Sequence, residues 1–364
     1  MPQVRVNLAD RSYDIHVDRG LIGRLGQLVR HALPKAQRAL IITDTNVAAR
    51  FGNLAKNALE QAGVATTKAT VPAGENSKSL AQAYNLYTAC VNAQLDRNSV
   101  IVALGGGVVG DLAGFVAATY LRGIPFVQVP TTLLAQVDSS IGGKTGVDLP
   151  QGKNLVGAFH QPSLVVADLD ALTSLPQREL AAGLAEVIKH AVIRDAGFLH
   201  TLESEVDRIL ALDPVVMGSV VERNCQIKGE VVAADETEKG LRAILNFGHT
   251  VGHAMEIQLG LGNWLHGECV AVGMCVVTNL AAQVGVLKEP DLPVRLERLL
   301  ARVGLPTRLP PGLTLAALEP AMRRDKKSEG GQIHWVLPVR AGEVIVTPNV
   351  SMDAVQRALE ALRR

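Results

Sequence analysis

A run of glycines at the end of an apolar stretch is the feature that most constrains the fold of this chain. Residues 99–104 suit a buried strand, and Gly105-Gly106-Gly107 leads from them into a segment, residues 108–120, that suits a helix. Without side chains at such a turn, backbone N–H groups can approach a pyrophosphate that also feels the positive end of the helix dipole. The pattern predicts a strand, turn and helix unit that binds a dinucleotide.

The size and composition of the chain predict a globular protein of two domains. Its 364 residues include 48% hydrophobic ones, enough to bury a large core. A net charge of +1 argues against a nucleic-acid or membrane-surface partner. The 4 cysteines lack metal-type pair spacing and the first residues lack an apolar signal core, so we expect a cytoplasmic protein.

Predicted strands and helices alternate in the first half of the chain. An N-terminal hairpin is followed by strands with helices between them, which implies a mostly parallel, helix-covered sheet of Rossmann-like type. The predicted strands are residues 4–7, 13–17, 38–43, 65–71, 99–104 and 125–129. The predicted helices are residues 46–62, 79–93 and 108–120.

The pattern changes to helical periodicity from residue 176 onward. Only residues 333–337 and 343–346 alternate like a late hairpin. We therefore predict an α/β domain over residues 1–174 and a mostly α-helical domain over residues 175–364.

The position of the acidic residues departs from an ordinary Rossmann unit. There the carboxylate that binds the ribose follows the glycine loop by about twenty residues, whereas residues 125–128 of this chain are not acidic. Asp44 ends a predicted strand and could bind ribose hydroxyls, which would favour NAD over NADP, or it could cap the next helix. The segment 74–78 and the pair Thr131-Thr132 allow the same two interpretations.

Histidines at helical spacing indicate a metal site. His249 and His253 are four residues apart, so both imidazoles project from one face of a helix. His266 offers a third nitrogen, and Glu186 is a carboxylate on an otherwise apolar predicted helix, where it needs a partner. Spacing alone does not choose among these ligands and their competitors. The competitors are His190, Glu256 and Glu268.

Six motifs in order along nearly the whole chain resemble the 3-dehydroquinate synthase family. They are residues 105–111, 130–144, 152–154, 183–189, 246–253 and 264–268. The family is similar in fold to iron-dependent alcohol and glycerol dehydrogenases, which accounts for the position of Asp44. The resemblance implies that Glu186, His249 and His266 bind Zn²⁺ or Co²⁺. It also implies that His253 faces the substrate instead.

The resemblance further implies where NAD and substrate bind. NAD would contact Asp44, Gly74, Glu75, Lys78, Gly107, Val108, Val109, Gly110, Asp111, Thr131, Thr132, Lys144, Lys153, Ala171, Leu172, Thr173 and Ser174. Substrate would contact Asp138, Lys144, Asn154, Lys189, Lys228, Arg242, Asn246, His253 and Lys326. Arg122 would come from the neighbouring subunit of a homodimer. By residue type alone, Lys228, Arg242 and Lys326 are expected to be solvated surface charges.

The reaction implied by the resemblance converts 3-deoxy-D-arabino-heptulosonate 7-phosphate to 3-dehydroquinate and phosphate, a step of the shikimate pathway that supplies chorismate and the aromatic amino acids. It passes through transient oxidation by NAD, phosphate elimination, re-reduction and intramolecular aldol closure, so the enzyme is a lyase. The alternatives are another sugar-phosphate cyclase, a metal- and NAD-dependent alcohol dehydrogenase and a non-catalytic binding module. The anion-binding set of lysines and Arg242 argues against the dehydrogenase, and the intact metal and cofactor groups argue against the binding module.

Overall fold

The structure, a computed structural model, describes residues 3–260, 263–325 and 332–363 of the chain. It divides into two compact units, one formed by residues 1–175 and 217–237 and the other by residues 176–216 and 238–364. The domain boundary between residues 174 and 175 stays a prediction, because a division by compactness does not test which part of the chain binds which ligand. Lys326 lies outside the described residues. Of the helices described, none has the length and apolarity to cross a membrane.

The first unit contains a seven-stranded sheet in the order β1-β2-β9-β6-β5-β3-β4. Its strands are β1 (Gln3–Val6), β2 (Tyr13–Asp18), β3 (Arg38–Asp44), β4 (Ala65–Val71), β5 (Val100–Gly105), β6 (Phe126–Pro130) and β9 (Leu164–Asp168). The β1–β2 pair is antiparallel and every other pair in the sheet is parallel. The predicted α/β fold with its N-terminal hairpin is confirmed.

Apolar side chains on both faces of β5 explain why this strand lies inside the sheet. Val100, Val102 and Leu104 pack into one core cluster, and Ile101 and Ala103 pack into the other. Successive residues of a strand point to opposite faces, so a continuous apolar run predicts cover on both sides. The helices of this unit are α1 (Leu25–Ala32), α2 (Thr45–Val47), α3 (Asn53–Gln61), α4 (Leu80–Asn92) and α5 (Gly107–Thr119), with residues 217–234 of α8 (Pro214–Ala234). A π-helical turn, Ala48–Gly52, joins α2 to α3 where one helix was predicted.

Three strands of the first unit were not predicted. β9 lies between β2 and β6 in the sheet, and β7 (Lys144–Leu149) pairs with β8 (Gly152–Phe159) as an antiparallel hairpin. The hairpin is tight, since a Cβ added at Gly157 would lie 2.2 Å from the carbonyl oxygen of Thr145. Glycine permits this close approach because it has no side chain. For the same reason it interrupts the alternation of apolar and polar residues by which β8 could have been predicted as a strand.

The described residues of the second unit form helices and one hairpin, as predicted. Its helices are α6 (Gln177–Arg194), α7 (Ala196–Leu210), α9 (His249–Leu259), α10 (His266–Gln283), α11 (Leu292–Arg302), α12 (Leu315–Asp325) and α13 (Met352–Ala361). The hairpin is β10 (Trp335–Arg340) with β11 (Glu343–Thr347). α10 packs against α6, α9 and α13, and most of its residues are buried. A helix with this much cover holds its first residue, His266, in a fixed place.

Candidate metal and cofactor sites

Three histidines of the second unit lie together. His249 is the first residue of α9, His253 follows one turn later, and His266 is the first residue of α10. One ring nitrogen from each lies within 4.8 Å of those of the other two. The ring centroids of His249 and His266 are 5.2 Å apart. The three imidazoles thus lie at one location, and their roles as metal ligands or substrate contacts stay a prediction.

Glu186, which α6 brings to this cluster, is fully buried. Its Oε1 atom lies 3.4 Å from Nε2 of His266 and 3.7 Å from Nε2 of His249. Two ligands bound about 2.1 Å from a tetrahedral zinc ion lie about 3.4 Å apart. Among the described residues no donor makes a hydrogen bond of acceptable geometry to either oxygen of Glu186, although Lys189 forms an ion pair with it. A buried carboxylate facing two imidazole nitrogens fits a divalent cation.

The protonation of the cluster agrees with a cation site. Burial opposes the charge of Glu186, but the ammonium of Lys189 and the contacts with the imidazoles of His249 and His266 outweigh burial and hold the pKa of the carboxyl well below its usual range. Burial lowers the pKa of His249 well below its usual value. Burial also works against a charged His266, but its contacts with Glu186 and Glu256 raise its pKa to about 10. Metal ligands must be deprotonated, so a cation bound here would replace the proton on Nε2 of His266.

The structure gives the competing carboxylates other roles. Glu256 contacts Nδ1 of His266 at 2.5 Å, which leaves Nε2 of that ring for a metal. Glu268 pairs with Arg178 and accepts the N–H of Leu265. His190 is buried on α6 one turn after Glu186. Spacing could not separate these groups, because all of them lie on or beside the same helices.

Two cations of the second unit are buried against expectation for their residue type. Arg242, in the 3₁₀ helix Leu241–Asn246, is 2% exposed, and Lys189 is 1% exposed. Asn246 at the end of the same 3₁₀ helix donates a hydrogen bond to Glu238. Cations removed from water in this way bind anions strongly, since they give up little hydration on binding.

The glycine run of the first unit begins α5 as predicted. Gly107 is the first residue of that helix and Gly106 precedes it without a side-chain cap. A Cβ at Gly106 would lie 3.1 Å from Thr132, and one at Gly107 would lie 3.0 Å from Ser139. The glycines themselves place no side chain at the positive end of this helix dipole, which suits a phosphate-binding loop.

Asp44 and Thr132 both cap turns in the structure. Oδ1 of Asp44 accepts the N–H groups of Asn46 and Val47, at 2.8 and 3.1 Å. The hydroxyl of Thr132 accepts the N–H of Ala135 at 3.1 Å. The helix-cap interpretation is thus realised for both, and a role in binding NAD stays a prediction. Thr131 is buried beside Gly105, whose carbonyl it contacts.

Ion pairs link the other polar residues predicted in the first unit. Lys78, 5% exposed, donates to Asp111 at 2.6 Å and to Asn154. Burial opposes its charge, but Asp111 outweighs burial and raises the pKa of Lys78. Lys153 pairs with Glu75 at 3.4 Å. Lys228, expected on the surface by residue type, is buried and donates to Asp138 at 2.5 Å.

The remaining predicted residues occupy turns and strand ends. Lys144 begins β7 and is exposed, Gly74 has a φ of +108°, and Ala171–Ser174 lie in a 3₁₀ helix after β9. Sequence reasoning missed Asp148, whose carboxylate holds the N–H of Asn154 and whose own N–H is held by the carbonyl of Lys78. Asn154 itself has a φ of +55°, a conformation that asparagine adopts more readily than most residues.

Family comparisons cover most of the chain. Residues 68–182 match the 3-dehydroquinate synthase N-terminal family model, and residues 183–328 match the corresponding C-terminal one. A 3-dehydroquinate synthase of Symbiobacterium thermophilum is 65% identical over 359 residues, which is 99% of this chain and 100% of that protein.

Solved structures of two synthases are similar along nearly the whole chain. A 2-epi-5-epi-valiolone synthase of Streptomyces hygroscopicus with NAD⁺ and Zn²⁺ bound has a TM-score of 0.89 and 30% identity, covering 98% of each chain. A 2-deoxy-scyllo-inosose synthase complexed with carbaglucose-6-phosphate, NAD⁺ and Co²⁺ has a TM-score of 0.89 and 25% identity, covering 99% of this chain and 100% of the other.

Proposed function

This chain belongs to the 3-dehydroquinate synthase family, and on that premise we propose that it converts 3-deoxy-D-arabino-heptulosonate 7-phosphate to 3-dehydroquinate and phosphate in the shikimate pathway. It is an NAD- and metal-dependent lyase. The observation that carries the proposal is 65% identity to a synthase of that name over nearly the whole of both chains. The cluster of the buried Glu186 with three half-buried histidines supports it, because this set of donors suits the divalent ion that the reaction needs.

Glu186, His249 and His266 are the ligands in this proposal, with Zn²⁺ or Co²⁺ as the ion. When bound, the ion supplies a Lewis acid that acidifies a substrate alcohol. Glu186 brings one negative charge to the site, and Glu256 keeps His266 turned with Nε2 toward its partners. His253 stands within the same cluster, one turn after His249 on α9, where its imidazole would take or give a proton at the substrate.

The first unit holds NAD in this proposal. The backbone at the start of α5 binds the pyrophosphate, and Asp44 binds the ribose while it also caps its helix. Other contacts come from Gly74, Glu75, Lys78, Val108, Val109, Gly110, Asp111, Thr131, Thr132, Lys144, Lys153 and residues 171–174. NAD is regenerated in each turnover, so its binding groups serve retention and orientation of the cofactor.

The buried and half-buried cations bind the two anionic groups of the substrate. Lys153 and Lys189, with Asn154, take the phosphate, and Arg242 beside Asn246 takes the carboxylate. A planar guanidinium holds a carboxylate through two parallel hydrogen bonds, which a lysine does not. Asp138, Lys144, Lys228 and Lys326 complete the proposed substrate contacts. The ion pair of Asp138 with Lys228 fixes the direction of that carboxylate.

A single assay tests the proposed reaction. With the heptulosonate phosphate as substrate, we expect phosphate to accumulate at a constant rate while NADH absorbance never exceeds one equivalent of enzyme. The reason is that the same cofactor is oxidised again before product leaves. The two signals are followed together in the presence of NAD⁺ and Zn²⁺. Continuous formation of NADH from a simple polyol would instead identify a dehydrogenase.

A homodimer is part of the proposal. α4 exposes an apolar face, with Leu80 48%, Tyr84 71% and Val91 62% exposed. Tyr87 of the same helix forms a hydrogen bond with Thr119, which shortly precedes Leu121 and Arg122 in the chain. These two residues have φ values of +51° and +67°, a strained backbone that non-glycine residues keep mainly where function requires it. A partner subunit that covers this face would receive Arg122. We also propose a cytoplasmic location for the protein.

The dimer is tested by molar mass in solution. We expect light scattering to give twice the chain mass, and Tyr84→Lys to shift the population toward monomer, because burying an unpaired ammonium in an interface is unfavourable. Val294→Lys is the matched control, since Val294 of α11 is 59% exposed in the second unit. A monomeric wild type, or equal effects of both substitutions, would contradict the proposed face.

A further inference from the structure

A network of four residues ties the start of α10 to the start of α6. Arg178 and Glu268 form a bidentate ion pair, with Nε to Oε1 at 2.6 Å and Nη2 to Oε2 at 2.7 Å. Nη2 of Arg178 also donates to the carbonyl of Asn263 at 3.0 Å, and Oε2 of Glu268 accepts the N–H of Leu265 at 2.8 Å. We call these residues the α6–α10 clamp.

The clamp lies on the two helices that carry Glu186 and His266. His266 sits between Leu265 and Glu268, inside the segment that the clamp holds. At Gly267 the two helices touch, since a Cβ there would lie 2.0 Å from the carbonyl oxygen of Ala182. Ala182 is one helical turn before Glu186. The clamp therefore stabilises the close packing of α6 against α10 at Gly267, and this packing sets the distance between Glu186 and His266.

The clamp differs from an ordinary surface ion pair in what it connects. Arg178 is 56% exposed, and an exposed pair alone contributes little to stability. Glu268, however, is 13% exposed and binds a backbone N–H, while Arg178 binds a backbone carbonyl on the same segment. Metal sites demand ligand placement within about 0.5 Å. From this geometry, we expect the clamp to act mainly on the placement of His266 and less on the stability of the fold.

We propose that Arg178 and Glu268 are positioning residues that set the affinity of the second unit for its divalent cation. The inference rests on the proposed function for the identity of the ligands. It adds two residues that touch neither ion nor substrate and that act through the helix contact at Gly267. The ion pair holds His266 at the distance from Glu186 that a single cation can bridge.

Zn²⁺ affinity measures this effect without turnover. The full-length chain is stripped of metal, and Zn²⁺ binding is measured by competition with a chromogenic chelator. We expect Arg178→Ala and Glu268→Ala each to weaken binding about tenfold or more, as loss of outer support for metal ligands does. The double variant should bind about as weakly as either single variant, because each substitution removes the same interaction. Arg178→Lys, which keeps the charge but not the fork, should restore only part of the affinity.

Arg208→Ala is the matched control. Arg208 of α7 is 54% exposed and also binds a carboxylate, Asp213, through two nitrogens. We expect it to leave Zn²⁺ affinity unchanged, and the metal-free clamp variants to unfold at about the temperature of this control. Wild-type Zn²⁺ affinity in either clamp variant, or losses of affinity that add up in the double variant, would refute the positioning role of the clamp. Failure of the wild type to bind one Zn²⁺ would refute the proposed metal site and the clamp with it.

Discussion

Glu186→Gln is expected to abolish stoichiometric Zn²⁺ binding and phosphate release. Loss of a group that only supports a metal ligand already costs 10–100-fold in affinity, and Glu186 is the one acidic member of the ligand set, so we expect a loss beyond about 100-fold. The substitution also leaves Lys189 buried without its counter-charge, since Lys189 is 1% exposed. Breaking a buried ion pair lowers the free energy of unfolding by about 3–5 kcal/mol. Zinc content by atomic emission and denaturant unfolding measure the two effects.

Glu179→Gln is the matched control for that substitution. Glu179 is an exposed carboxylate on the same helix, two turns before Glu186. It should leave zinc content and turnover as in the wild type. Circular dichroism at the assay temperature restricts the comparison to folded protein. Full zinc stoichiometry in folded Glu186→Gln protein would refute the ligand assignment, and His253 would then be the next candidate.

Arg242→Ala is expected to depress kcat/KM for the heptulosonate phosphate while zinc content stays unchanged. Truncating one member of a buried charge pair costs about 2–5 kcal/mol, which corresponds to roughly 30-fold to several thousand-fold in kcat/KM. Arg242 is 2% exposed, so water replaces the lost guanidinium poorly. Steady-state phosphate release with both proteins gives the ratio. Arg302→Ala, at an arginine that is 43% exposed, serves as the control.

Substrate comparison gives the same prediction a second test. Sedoheptulose 7-phosphate and glucose 6-phosphate lack the carboxylate that Arg242 is proposed to bind. The wild type should therefore turn over the heptulosonate phosphate fastest. If either of the other two sugars is cyclised faster, the chain makes a different cyclic product, and the similarity in fold to the valiolone and inosose synthases would be the better guide to its substrate.

Local sequence signals predict most strands of the central sheet, but they do not predict β9 or the β7–β8 hairpin. β3, β4 and β5 are apolar or alternating runs bounded by turn residues, so each is recognisable by itself. β9 is a short apolar run whose place between β2 and β6 depends on strands far away in the chain. The β7–β8 hairpin depends on backbone contacts at glycines, which leave no side-chain pattern to read.

The same division between local and distant information holds for the sites. Helical spacing predicts that His249 and His253 lie on one face of a helix. The carboxylate of Glu186 among apolar neighbours predicts that it is buried and needs a cationic or hydrogen-bonding partner. Which nitrogen of His266 faces Glu186 and which faces Glu256 depends on how α6, α9 and α10 pack, and the spacing of the residues along the chain does not contain that information. The burial of Arg242 and Lys228 is likewise set by tertiary packing and opposes the usual preference of those residue types.

The ion pair between Glu186 and Lys189 has a consequence for how the protein acquires its metal. Zinc fingers and many other small metal-binding domains fold only around their ion. Here the chain brings its own cation to the carboxylate, one turn along the same helix. We therefore expect the metal-free chain to fold before it binds an ion, and to take up either Zn²⁺ or Co²⁺ at the same ligands.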